Sequence, residues 1–165
     1  MGNDIVDLAV AKTESNWKRI GYLNKLFTDL EQNYILTAKN QDIMVWILWS
    51  LKESTYKAYQ RIQINRGFYP QKIKIKSLEI KDSIALSTLE LFGIDFFGKT
   101  IITSEWIHSI VTTKVSDLNQ ILEVKPKDIK KDKNSLPYCA LTNQSISISH
   151  HGAYQKIVQL NKKLK

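Results

Sequence analysis

The chain has 165 residues, 43% of them apolar, 24% charged and 10% aromatic, which is the length and composition of one ordinary globular domain able to bury a core. Lysine and arginine number 24 against 16 aspartates and glutamates, and the resulting +8 favours an anionic partner: nucleic acid, a nucleotide, an acidic protein or a membrane surface. The single cysteine, Cys139, excludes an internal disulfide and any multi-cysteine zinc or iron–sulfur site, and the longest uninterrupted apolar run, Ile43 to Trp49, falls far short of a bilayer span.

The first apolar run, Ile5 to Val10, is interrupted by Asp7 and preceded by Asp4, and predicts a strand at the N-terminus. Residues 14–27 carry Trp17, Ile20, Leu23, Leu26 and Phe27 at helical spacing and predict an amphipathic helix. Thr28-Asp29-Leu30-Glu31 is a capping box that opens a second helix running to about Ala38. Asp42 is the expected N-cap of a third, the central buried helix from Ile43 to Ile62, which is free of Gly and Pro and becomes polar in its C-terminal half; Gly67 and Pro70 end that unit. Strict alternation at 72–76 predicts a half-exposed strand, and further strands are expected at 84–92, 94–97, 99–103 and 107–113, broken at Gly93 and Gly98. Residues 116–124 read as a short helix or another strand, and the Lys-rich stretch 125–133 as a solvated loop. Alternation returns at Ser145–Ser149, and a closing strand is expected over Tyr154–Leu160. Helices first and strands after make an α+β fold. No charged-then-apolar leader opens the chain, and Val6 stands where a myristoylation signal has Ser or Thr, so a soluble cytoplasmic protein is expected.

Three local features are candidates for chemistry, each with a plainer reading beside it. Asp4 and Asp7 sit in an otherwise apolar strand, as metal ligands do at strand ends, or as solvated residues on an edge strand. Glu53 and Lys57 share a helix face at i,i+4, the spacing of an ordinary helix ion pair worth about 0.3–0.5 kcal/mol. His150, in Ser149-His150-His151-Gly152, suits a phosphate contact at a strand end, or belongs to a surface turn. Trp17, Trp46 and Trp49 read as core, Cys139 as a small buried apolar side chain, and His108 and His151 as structural or exposed.

Taken together the three features resemble one family. Gly2-Asn3-Asp4-Ile5-Val6-Asp7-Leu8 is similar to the opening G-x-D-I-x-x-[LI] motif of the 4′-phosphopantetheinyl transferase superfamily. Trp49-Ser50-Leu51-Lys52-Glu53-Ser54-Thr55-Tyr56-Lys57-Ala58 resembles its W/F-x-x-K-E-[SA]-x-x-K-A helix, and Ile146-Ser147-Ile148-Ser149-His150 its [VI]-S-[LI]-[ST]-H strand. Leu136-Pro137-Tyr138 stands where the family often has a K-P-Y turn. The order of the motifs is that of the short holo-acyl-carrier-protein synthases. The resemblance covers 2–76 and 134–160; Gln155 and Lys156 depart from the small residues usual there, and 77–133 is longer than the corresponding stretch of the short enzymes.

The resemblance implies a phosphopantetheinyl transferase-like fold over one domain, residues 1–165, with 77–133 as an enlarged insertion. It implies Mg²⁺-dependent transfer of the phosphopantetheine arm of coenzyme A to a serine of an acyl carrier protein, releasing adenosine 3′,5′-bisphosphate, with Mn²⁺ the alternative metal. Asp4 and Glu53 then match the metal ligands, with Glu53 also the candidate base and Asp7 in support. Lys57 would neutralise the leaving group, His150 would contact a coenzyme A phosphate, and Lys52 would touch phosphate or pair with a local carboxylate. An acidic carrier, of a fatty-acid, polyketide or similar pathway, suits the basic chain, with Lys12, Lys18, Arg19 and Lys25 as docking candidates. The short enzymes place the histidine strand beside a neighbouring subunit, which implies a homotrimer. The competing readings are a non-catalytic carrier- or coenzyme A-binding member of the fold and a basic nucleic-acid-binding domain; the basic residues are spread along the chain with no aromatic RNA-binding motif, so neither nucleic acid nor membrane is the expected partner.

Overall fold

The computed structural model describes residues 1–64 and 67–161. It is α+β: four helices, α1 (Leu8–Glu14), α2 (Tyr22–Leu26), α3 (Asp29–Thr37) and α4 (Gln41–Gln60), and two antiparallel five-stranded sheets. The first sheet has the order β1-β5-β4-β3-β2, from β1 (Gly2–Asp7), β2 (Lys74–Lys81), β3 (Ile84–Leu91), β4 (Ile94–Ile102) and β5 (Trp106–Thr112). The second, ordered β6-β10-β9-β8-β7, comprises β6 (Ile121–Glu123), β7 (Ile129–Lys131), β8 (Pro137–Cys139), β9 (Gln144–His151) and β10 (Tyr154–Leu160). No helix among the described residues is long and apolar enough to cross a membrane.

The core lies between α4 and the inner face of the first sheet, where Val45, Leu48, Leu51 and Ala58 meet Val6, Leu89, Phe96, Ile107 and Val111. Phe27 and Ile35 extend it toward α3. Several expected boundaries move. The N-terminal strand ends at Asp7, because the Asp7 carboxylate accepts from the amides of Ala9 and Val10 and turns Leu8–Val10 into the start of α1. The helix expected over 14–27 is instead the end of α1, an irregular stretch and the short α2, which starts after Gly21 at φ 80°; Ile20, expected on its apolar face, is fully exposed. Asn40, rather than Asp42, caps α4, leaving Asp42 to accept the indole N–H of Trp17 at 2.7 Å. Strands expected at 94–97 and 99–103 are one, β4, running through Gly98. The Lys-rich loop contains β7, and 116–124 divides between a 3-10 turn (Val115–Gln120) and β6. The capping box of α3 and the closing strand β10 lie where the sequence predicts them.

The stretch 77–133 supplies most of β2 and all of β3, β4 and β5, so it builds the sheet on which β1 rests. The second sheet joins the first at β1 and β9, and it does so through side chains. The N–H groups of Asn3, Ile5 and Asp7 donate to Ser147 Oγ (3.0 Å), Ser149 Oγ (2.9 Å) and His151 Nδ1 (2.9 Å), each partner 144 residues further on. Every second residue of β1 is thus tied to every second residue of β9. Asn3 adds a fourth tie, its Nδ2 donating to the Lys156 carbonyl of β10.

A buried ion pair holds α3 to α4. Lys52 Nζ lies 2.7 Å from Glu31 Oε2, with both side chains at 0% exposure. The ammonium also donates to the carbonyls of Pro70 (2.7 Å) and Ile73 (2.6 Å), so its three protons are all used. Glu31 in turn accepts from the amides of Thr28 and Ile75. Burial drives the Lys52 pKa down and Glu31 opposes it. Lys52→Met, which leaves the Glu31 charge buried and unpaired, is expected to lower the unfolding free energy by about 3–5 kcal/mol in urea denaturation, with part recovered in Lys52→Met/Glu31→Gln. A loss below about 1 kcal/mol in the single variant would contradict this role.

Candidate active site

The site is built where β1 touches α4. A Cβ at Gly2 would stand 2.1 Å from the Ser54 carbonyl oxygen and 2.5 Å from the Ala58 nitrogen, so only glycine allows the strand this close to the helix. Two small polar residues one turn apart complete the contact: Ser50 Oγ donates to the Asp4 carbonyl and Ser54 Oγ to that of Ser109 on β5. The approach brings Asp4 beside the polar half of α4. Lys57 Nζ donates to the Asn3 carbonyl at 2.9 Å and reaches Asp4 Oδ1 at 3.3 Å. Ser149 Oγ donates to the same Oδ1 at 3.0 Å.

Asp4, Glu14, Tyr22, Trp49, Glu53 and His150 line one cleft of about 220 Å³. Three of the residues singled out in the sequence, from positions 4, 53 and 150, therefore meet, and Lys57 sits against the first of them. A second cleft of about 470 Å³ shares Ala11, Ser15 and Trp46 with the first and carries Lys12 and Lys18 on its wall. Lys52 is not brought to either. It faces the other side of α4, and of the two roles expected of it the geometry provides the carboxylate pairing and leaves no reach to a phosphate.

Burial and the Asp4 charge push the Glu53 carboxyl up to about 7, with Lys57 opposing. Asp7 behaves in the opposite way. Its Oδ2 accepts from the Ala153 amide and its Oδ1 from those of Ala9 and Val10, and these bonds hold it below the usual carboxylate range. It clamps β1, α1 and the β9–β10 turn together, and a Cβ at Gly152 (φ 54°) would stand 2.2 Å from its Oδ2. His108, on β5 behind Asn3, is pushed down to about 4 by burial and by the Lys156 charge, so it is neutral at pH 7. His151 faces Glu14 at 3.9 Å through Nε2 while its Nδ1 serves β1.

Ser147 and Ser149 match the strand motif of the family the chain resembles but carry no role in the sequence, and His151 reads as structural or exposed. The signal that marks them is the placing of short polar groups at alternate positions of β9, in phase with Asn3, Ile5 and Asp7. Only the structure shows that the two strands lie side by side.

Asp4 and Glu53 are hard oxygen donors whose mutual repulsion a divalent cation would relieve, so the residues present fit Mg²⁺. No group of three or more His, Cys, Asp and Glu able to hold a metal exists among the described residues. Two carboxylates completed by ligand phosphates are the set Mg²⁺ ordinarily takes. In the metal-free protein the raised Glu53 pKa means that the folded state holds this proton more tightly than the unfolded chain. Its contribution to stability therefore declines as pH rises from the ordinary 4.5 through about 7. Asp4→Asn removes the like charge, so the Glu53 carboxyl followed by ¹³C NMR is expected to titrate at lower pH than in the wild type. An unchanged or higher titration point would show that Asp4 does not act on Glu53.

Comparison with known proteins bears on the same residues. No curated protein matches the chain. The model of the 4′-phosphopantetheinyl transferase superfamily matches residues 1–111 of the 165, a span that holds Gly2, Asp4, Glu53 and Lys57 and ends before β9. With the match covering the strand and the helix that make the cleft, the chain belongs to the 4′-phosphopantetheinyl transferase superfamily, enzymes that transfer phosphopantetheine.

Proposed function

We propose that this protein transfers the 4′-phosphopantetheine arm of coenzyme A to a serine hydroxyl of an apo acyl carrier protein, releasing adenosine 3′,5′-bisphosphate. The observation that carries the reading is the meeting of Asp4, Glu53 and His150 in one cleft, with Lys57 on Asp4. Asp4 and Glu53 would hold Mg²⁺, or Mn²⁺ by the same oxygens. A bound cation there would neutralise charge on the pyrophosphate.

The chain's own residues supply the rest. The incoming serine oxygen bonds to the phosphorus that carries pantetheine, its proton passes to Glu53, and the phosphorus–oxygen bond to the adenosine bisphosphate breaks. Two of the three Lys57 ammonium protons go to Asn3 and Asp4, leaving one for a phosphate oxygen of the leaving group. His150, exposed on the cleft wall, is placed to contact coenzyme A phosphate, and Lys12 and Lys18 on the adjoining wall suit its polyanionic end. Lys18 over Trp17, Arg19 over Tyr22 and the exposed Ile20 form a basic surface with an apolar centre beside the cleft, suited to an acidic carrier.

A homotrimer with the histidine strand beside a neighbour is what the short enzymes imply. In this chain β9 is tied to its own β1, so we propose a cytoplasmic enzyme whose site is complete within one chain, whatever its assembly.

The test is intact-protein mass spectrometry of an acidic apo carrier incubated with coenzyme A, Mg²⁺ and either wild type or Glu53→Gln. Wild type is expected to add one phosphopantetheine per carrier, and the variant to be slower by at least about 10²-fold. No addition to any of several carriers, together with no binding of coenzyme A, would overturn the reading.

A further inference from the structure

Ser149 does two things with one hydroxyl. Its oxygen accepts the Ile5 amide proton at 2.9 Å, as the middle rung of the ladder between β1 and β9, and its own proton goes to Asp4 Oδ1 at 3.0 Å. Ser149 is 4% exposed, so this bond is shielded from competing water. The neighbouring rung is different in kind. Ser147 accepts the Asn3 amide at 3.0 Å and has no bond to a carboxylate of the cleft.

We infer that Ser149 is a positioning residue for Asp4, fixing Oδ1 so that the carboxylate keeps one orientation in the cleft it shares with Glu53, where the two would hold a divalent cation. The inference rests on the reading of Asp4 as a metal ligand. Asp4 has two neighbours competing for its orientation. Lys57 reaches Oδ1 from α4 at 3.3 Å, the longer of its two bonds, at the end of a flexible and only partly buried side chain whose ammonium also donates to the Asn3 carbonyl at 2.9 Å. Ser149 holds the same oxygen from β9, and its own position is set by the Ile5 amide. The hydroxyl is thereby the fixed partner and the ammonium the adjustable one. Without the hydroxyl the carboxylate is free to turn toward Lys57, and the cation loses a preorganised ligand. Partners of this kind behind a metal-binding side chain are commonly worth 10–100-fold in metal affinity.

The rung and the carboxylate bond can be separated by experiment. Mn²⁺ binding to the full chain is measured by electron paramagnetic resonance, with saturating coenzyme A and no carrier, for wild type, Asp4→Asn, Ser149→Ala, Ser149→Thr and Ser147→Ala. Circular dichroism and urea denaturation establish that each variant is folded. Ser149→Ala is expected to bind Mn²⁺ roughly 10–100-fold more weakly than wild type. Ser149→Thr, which keeps the hydroxyl, and Ser147→Ala, which removes a rung but no contact to Asp4, are both expected to stay within about threefold of wild type, well inside that loss. Equal losses in Ser147→Ala and Ser149→Ala would reduce Ser149 to a rung of the ladder and overturn the inference. So would wild-type affinity in Ser149→Ala. Unchanged Mn²⁺ binding in Asp4→Asn, or none in wild type, would instead remove the metal-ligand reading on which the inference stands.

Discussion

The geometry of this protein depends on a single short strand held on three sides. β1 shares backbone hydrogen bonds with β5 on one edge, and its other edge is tied to β9 by Ser147, Ser149 and His151. Its face lies so close to α4 that position 2 has no room for a side chain. Nothing in that arrangement can shift alone. Asp4 is carried by the strand, Glu53 and Lys57 by the helix beneath it, and His150 by the strand alongside, so fixing β1 fixes their separation. The two glycines that matter most here, Gly2 and Gly152, both make room: the first for the helix backbone, the second for the Asp7 carboxylate.

Adjacent residues of α4 illustrate how burial divides structural from chemical charge. Lys52 is sealed from solvent against Glu31 with every ammonium proton satisfied, and its work is to lock α3 and the turn at Pro70–Lys72 against the helix. Glu53, the next residue, lines the cleft, where in the metal-free protein burial and a like charge make it hold its proton up to about pH 7. Satisfied charges stabilise a fold, whereas a carboxylate with an unresolved repulsion can accept a proton or a cation. Lys57, half-exposed and shared between a carbonyl and Asp4, lies between these extremes.

Much of this was legible in the residues. The Thr28–Glu31 capping box, the long α4 and the strand Tyr154–Leu160 all follow from local patterns that tertiary contacts reinforce. The three motifs pointed to Asp4, Glu53, Lys57 and His150, and their convergence needed only the fold. What was hidden is of another kind. Leu8–Val10 read as strand because they continue the apolar run from Ile5, and nothing in that run marks the capping bonds by which Asp7 turns them into α1. The periodicity across 14–27 suggests one helix, but Gly21 at positive φ divides it, and Ile20 ends in solvent. Lys52 looks like a cleft residue because it neighbours Glu53, while its partner lies 21 residues earlier on α3. Ser147 and Ser149 match a motif whose work is invisible until β1 is placed beside them.

With β9 tied to its own β1, one chain would carry the whole site. Glu53→Gln and His150→Ala, inactivated on different elements, can be co-expressed with different tags and purified as a mixed assembly through both tags or, failing a stable assembly, as a refolded mixture. If β9 serves its own β1, every chain in the mixture carries one defect in its own site, and transfer of phosphopantetheine should not exceed the sum of the separate variants. Recovery of a substantial fraction of wild-type activity would mean that intact Glu53 and intact His150 meet across two chains, and that a single chain does not hold a complete site.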